Sequence, residues 1–160
     1  MSATFEDLRV LKTAEEIADS IWKRVLQWDE FAKDVVGKQL ARAADSIGAN
    51  IAESFGRYHF GEKLQFLYYA RGSIFETKYW LNRARARGLL SSPEAEAQIE
   101  SITALARQLN ASARSLKNVR AHEGKKSETP REGTAEYRVE PLADIQDLLF
   151  KDQDLVWLQD

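Results

Sequence analysis

Ser46, Asn50, Glu53 and Arg57 are spaced four, three and four, which on a helix places them on one face. Glu53 and Arg57 stand at i,i+4 and can form an ion pair. Such a stripe serves either as a hydrogen-bonded network that sets helix register and closes the following turn, or as a contact for a ligand or nucleic acid. The network is the expectation, because polar groups beside a core normally partner one another. A second set is cationic. Arg71, Lys78 and Arg85 lie seven apart, Arg83 and Arg87 flank the end of the same segment, and Arg107, Arg114, Lys117 and Arg120 follow on the next. Charges in this pattern either neutralise phosphates, giving salt-sensitive and largely sequence-blind binding to RNA or DNA, or simply solvate a helix face.

Catalytic constellations are missing from the sequence. Of the two histidines, neither His59 nor His122 has an arginine four to six residues before it, the arrangement of helical ribonucleases. The Glu-x-x-His pairs that a di-iron bundle needs are absent, and no Gly-rich phosphate loop follows a strand. Glu53 and Glu76 could face each other across two helices, but a carboxylate pair without further parts is weak evidence of chemistry. With no cysteine there is neither thiolate nor disulfide. The expectation is a protein that is not an enzyme, with no metal site and no cofactor.

These side chains need helices to carry them, and the apolar spacing supplies four. Leu8, Leu11, Ala14, Ile17, Ile21, Val25 and Trp28 recur every three or four residues, predicting a first helix from about Glu6 to Trp28. Val36, Leu40, Ala43, Ala44, Ile47, Ile51 and Phe55 predict a second, closed by Gly56 as a residue tolerant of left-handed backbone. The third starts near Gly61, buries Leu64, Leu67, Ala70, Ile74, Leu81 and Ala84, and ends at Gly88. Ser92, Pro93 and Glu94 read as N-cap, first-turn proline and first-turn acid of a fourth, with Ile99, Ile102, Leu105, Leu109, Ala113 and Leu116 facing inward. Short connections favour antiparallel neighbours, so the fold class is all-α, an up-down-up-down four-helix bundle over residues 1–120.

The rest of the chain differs in composition. Residues 121–139 hold Gly, Pro, Glu, Lys, Ser and Thr with almost no large apolar side chain, which predicts a linker. Residues 140–160 form a short amphipathic segment in which Leu142, Ile145, Leu148, Leu149, Phe150 and Trp157 need a surface to cover: their own bundle, a neighbouring subunit or a protein partner. Charge divides at the same place. Residues 1–120 hold 18 Lys+Arg against 15 Asp+Glu, whereas residues 121–160 hold 5 against 10, so a mildly basic bundle carries an acidic tail. No leader and no run of ~20 apolar residues is seen, so no membrane is expected and the cytoplasm is the expected location.

The third helix is too apolar for a lone bundle. Beyond its core stripe it adds Tyr68, Phe75 and Tyr79 on a second line, with Gly72 among them, and Phe66, Tyr69 and Trp80 on a third. Apolar surface around most of a helix means burial on more than one side. Self-association through these aromatics is the expectation, and coverage by the tail is the alternative.

The run Ser46-Ile47-Gly48-Ala49-Asn50-Ile51-Ala52-Glu53-Ser54-Phe55-Gly56-Arg57 closely resembles the SI-x-x-NIAE-x-x-GR signature of the 23S ribosomal RNA intervening-sequence protein family. Ala70, Gly72, Ser73, Glu76 and Leu81 fit its A-x-GS-x-x-E helix, and the likeness covers about residues 5–118. Gly48 and Ser54 stand where the family often has proline and glycine, and the tail has no counterpart. The resemblance implies an up-and-down bundle forming homopentamers. More distantly, it implies kinship with the accessory variability determinants of diversity-generating retroelements, pentamers that bind nucleic acid. The function it implies is a nucleic-acid-binding accessory or scaffold protein; the alternative is a protein-interaction platform served by the C-terminal peptide.

Overall fold

In a computed structural model the chain is all-α, and the structure describes residues 5–126 and 149–160, with side chains from 8–118 and 149–160. Leu142, Ile145 and Leu148 lie outside the described residues, as does the side chain of Arg120. Five helices are present among the described residues: α1 (Phe5–Val25), α2 (Lys38–Gly56), α3 (Phe60–Ala86), α4 (Ser92–Lys126) and α5 (Asp152–Gln159). A helical turn, Glu30–Ala32, and a π-helical stretch, Lys33–Gly37, lead into α2.

The helices bury the stripes that their spacing demands. Val10, Ala14, Ile17 and Ile21 of α1 meet Leu40, Ala44, Ile47 and Ile51 of α2, Leu64, Leu67, Ile74 and Leu81 of α3, and Ile99, Ile102, Leu105 and Leu109 of α4 in one core. Each of α1 and α3 packs against both α2 and α4, which makes a helical bundle.

Connections show where local chemistry departs from the expected bounds. α1 stops at Val25, three residues short of Trp28, which folds back beneath the corner and is buried. Asp29 then caps the next turn, its Oδ1 accepting from Ala32 N–H at 2.9 Å. In the π stretch the N–H of Lys38 reaches back to Lys33 O. Gly37 lies so close to the end of α1 that a Cβ there would meet Val25 Cγ1 at 2.6 Å. Gly88, with φ 71°, closes α3 while Leu89 N–H bonds Ala84 O at 2.9 Å, the wrapped ending that glycine favours. Gly56 is not left-handed; α2 passes instead into extended Arg57, φ −80°.

Two further bounds move. Ser91, not Ser92, caps α4: its Oγ accepts from Glu94 N–H at 3.3 Å and Glu94 Oε2 accepts from Ser91 N–H at 2.7 Å. This is a reciprocal capping box, and the acid that completes it lies three residues after Ser91. α4 also continues to Lys126, so residues 121–126 are helix where composition predicted linker.

Candidate functional site

A set of long-range contacts holds the C-terminal segment on α3 and α4. Its anchor is Asn110 of α4, whose Oδ1 accepts from Phe150 N–H and whose Nδ2 donates to Phe150 O, both at 2.8 Å. One carboxamide thereby satisfies both backbone groups of one residue, as a neighbouring strand would. The Phe150 ring is fully buried and lies parallel to Phe75 of α3, centroids 6.0 Å apart and planes within 5°. Trp157 stacks on Phe75 too, at 5.1 Å and 20°. Leu149 and Leu158 are buried alongside.

Charges finish the seal. Asp154 caps α5 by accepting from Lys151 N–H at 2.8 Å, and the same Oδ2 receives Arg71 at 3.3 Å. The Arg71 guanidinium lies over Phe75 at 4.6 Å and over Phe150 at 5.6 Å. Lys78 donates to Trp157 O and sits over the indole, 4.2 Å from its centroid. Burial pushes the Lys78 pKa down, Asp160 pulls it up, and Arg85 adds to the lowering.

Several residues proposed for other roles are thus occupied. Lys78, only 2% exposed, and half-buried Arg71 are not open to phosphate while α5 is seated, because the segment's backbone and Asp154 hold them. Phe75, half-buried, is stacked by Phe150 and Trp157 of the segment. The remaining cations are more accessible. Arg87, Arg107 and Arg114 are exposed, Arg83, Arg85 and Lys117 are half-buried, and Arg85 donates to Asn82 at 3.1 Å.

The other aromatics of α3 divide. Tyr68, Trp80 and Phe66 are half-buried, with Phe66 edge-on to Tyr69 at 5.4 Å and under the Arg57 guanidinium at 4.5 Å. Tyr69 and Tyr79, 51% and 55% exposed, share a face with exposed Gly72 and Glu76 at spacings three, four and three. No described atom comes within 4 Å of where a Gly72 Cβ would sit. A second exposed apolar cluster was not singled out in the sequence: Trp22, Leu26, Phe31 and Val35 near the corner after α1. Trp22 and Leu26 stand at i,i+4 off the α1 core stripe, as Phe31 and Val35 do beyond the corner, and these two pairs are the signal available in the sequence.

The polar stripe of α2 is a network within the bundle. Asn50 Nδ2 donates to Ser46 O at 2.8 Å and reaches Ser73 Oγ of α3 at 3.4 Å. Ser73 in turn donates to Tyr69 O at 3.1 Å, and Thr77 to Ser73 O at 2.7 Å. Glu53 and Arg57 form an ion pair, Gly56 and Glu76 are exposed, and Ser54 is buried with its hydroxyl on Ile51 O at 2.7 Å. Gly48 lies within regular helix, with room for a Cβ 3.8 Å from that of Ala14. No cluster of three metal-ligating side chains occurs, and no helix is long and apolar enough to cross a membrane, among the described residues.

A comparison with curated proteins finds no match. The family model of the 23S rRNA-intervening sequence protein matches residues 6–111, a span that starts in α1, takes in the Asn50–Ser73 contact and Asn110, and ends before α5. With most of the bundle covered by that match and the signature residues joined across α2 and α3, the chain belongs to the 23S rRNA-intervening sequence protein family.

Proposed function

We propose that the chain is a non-enzymatic, cytoplasmic, homopentameric accessory or scaffold protein that binds RNA or DNA through cations of α3 and α4. The observation that carries this reading is the exposure of Arg87, Arg107 and Arg114, none ion-paired among the described residues, at the end of α3 and along α4. Repeated around a ring, they make a phosphate-binding surface whose affinity falls steeply with salt. An antiparallel up-down-up-down arrangement is supported by Asn50 against Ser73 and Arg57 over Phe66, and by Ser20 against Gln98 and Arg24 against Glu94. Self-association is supported by the exposed Tyr69-Gly72-Glu76-Tyr79 face, whose gap at Gly72 admits a neighbouring backbone.

Salt titration of binding to labelled RNA and DNA is the deciding experiment: absence of binding at low salt from the full chain ends the nucleic-acid reading. Light scattering of Tyr69→Asp/Tyr79→Asp against wild type tests assembly, with dissociation expected. A second reading, a protein-interaction platform, is favoured by the Asn110 clamp on Phe150, since it shows a bundle surface fitted to a peptide backbone. Under that reading, Trp157→Ala changes partner capture without changing nucleic-acid affinity.

A further inference from the structure

The face beneath α5 has an unusual make-up. Phe75 stands between two cations of its own helix, Arg71 one turn before and Lys78 one turn after, and two flat rings lie nearly parallel to it. An anionic carboxylate, Asp154, meets Arg71 beside the rings. Flat rings stacked on an aromatic platform, with negative charge delivered to flanking cations, is also the chemistry by which a protein holds single-stranded nucleic acid. We infer that Arg71, Phe75 and Lys78 form a stacking platform for single-stranded nucleic acid, and that residues 149–160 are a built-in competitor for it, with Phe150 and Trp157 standing in for bases and Asp154 for a phosphate. The inference rests on the nucleic-acid reading above and adds where the strand stacks and what excludes it.

The platform is suited to being uncovered. The polar contacts that hold the segment fall on Arg71, Lys78 and Asn110, whose side chains can exchange them for water or phosphate when it leaves. Leu149, Phe150 and Leu158 share one buried cluster with the stripes of α3 and α4, so release also exposes apolar surface there, which a stacked strand would cover in part. The ammonium of Lys78 is taken from water by the seated segment, with the Trp157 carbonyl and ring as its contacts and Asp160 as the compensating charge beside it. A strand carrying phosphates offers that ammonium a full negative charge instead. The segment also brings a net negative charge to a mildly basic bundle: residues 149–160 hold Asp152, Asp154 and Asp160 against Lys151.

The test uses full-length chains and a fluorescein-labelled 20-nucleotide oligouridine at low salt. Two release variants are compared with wild type: Phe150→Ala/Trp157→Ala, which spoils the competitor, and Asn110→Ala, which lets go of it without changing it. Limited proteolysis after Lys151 reports release. Both are expected to bind about tenfold more tightly than wild type, the scale of one base stack. Their salt dependence should steepen by about 1.4, corresponding to two further phosphates on a single strand. Phe75→Ala and Arg71→Ala/Lys78→Ala in the release background should abolish the gain. If both variants release the segment and bind no more tightly than wild type, the competitor is disproved while the nucleic-acid reading survives. Binding by none of the chains ends both. A gain equal for duplex and single-stranded probes, or one that survives Phe75→Ala, ends the stacking platform. A gain in only one of the two release variants ends the competition.

Discussion

Asn110 holds Phe150 by two backbone hydrogen bonds of equal length, 2.8 Å, across 40 residues of sequence. Asn110→Ala leaves a buried N–H and a buried C=O without partners, at a cost of about 1–3 kcal/mol. That cost falls on the docking of residues 149–160. Hydrogen exchange should show faster exchange confined to this segment, with α1 to α3 unchanged. Asn110→Asp retains an acceptor for the N–H and loses the donor to the carbonyl, so intermediate protection is expected.

Gly37→Ala should destabilise the bundle by about 1–3 kcal/mol, because the new methyl must displace Val25 Cγ1 from 2.6 Å. Gly72→Ala has open space in the subunit and should stabilise the α3 helix by up to about 1 kcal/mol. Thermal melts of the two variants should therefore move in opposite directions. If assembly brings a backbone onto Gly72, the second variant also loses oligomer in light scattering while its subunits become more stable.

The carboxyl of Glu94 is held down to about 2, first by the backbone N–H of Ser91, then by its hydroxyl, then by Arg24. A carboxylate depressed in the fold stabilises it above the ordinary value of 4.5, and that contribution disappears as pH falls from there toward 2. A carboxyl NMR titration should give a midpoint near 2 for Glu94. Glu94→Gln should flatten the stability profile across that window.

Asn50→Ala removes the bonds to Ser46 O and Ser73 Oγ and should cost about 1 kcal/mol in urea unfolding. Combined with Ser73→Ala, the loss should be less than additive, because the two side chains share one contact. Full additivity would mean that the family signature does not couple α2 to α3 through this pair.

Helix positions were legible because a core stripe is a local property: Leu40, Ile47 and Ile51 declare their common face within a dozen residues. The cap of α4 is harder to place, because Ser91 and Ser92 both suit the role and only the position of Glu94, three residues after Ser91, separates them. The two halves of the signature, around Asn50 and around Ser73, could be read, though not the bond between them. Asn110 carried no local signal at all. Its partner lies 40 residues away, and Arg71 meets Asp154 across 83, so neither pairing leaves a periodicity to detect. Phe75, Arg71 and Lys78 look like surface residues in the sequence for the same reason: what covers them is remote along the chain.

The π-helical stretch Lys33–Gly37 has a consequence for how this chain can drift. A residue of α-helix turns the chain by about 100°, so deleting one residue before Lys38 would swing Trp28 and Ala32 away from the core that now buries them. The wide turn takes up this surplus residue at a single place. Upstream and downstream stripes thus keep separate phases, and the corner is where the extra residue lets both meet a single core without re-aiming the helix that carries the Asn50 network.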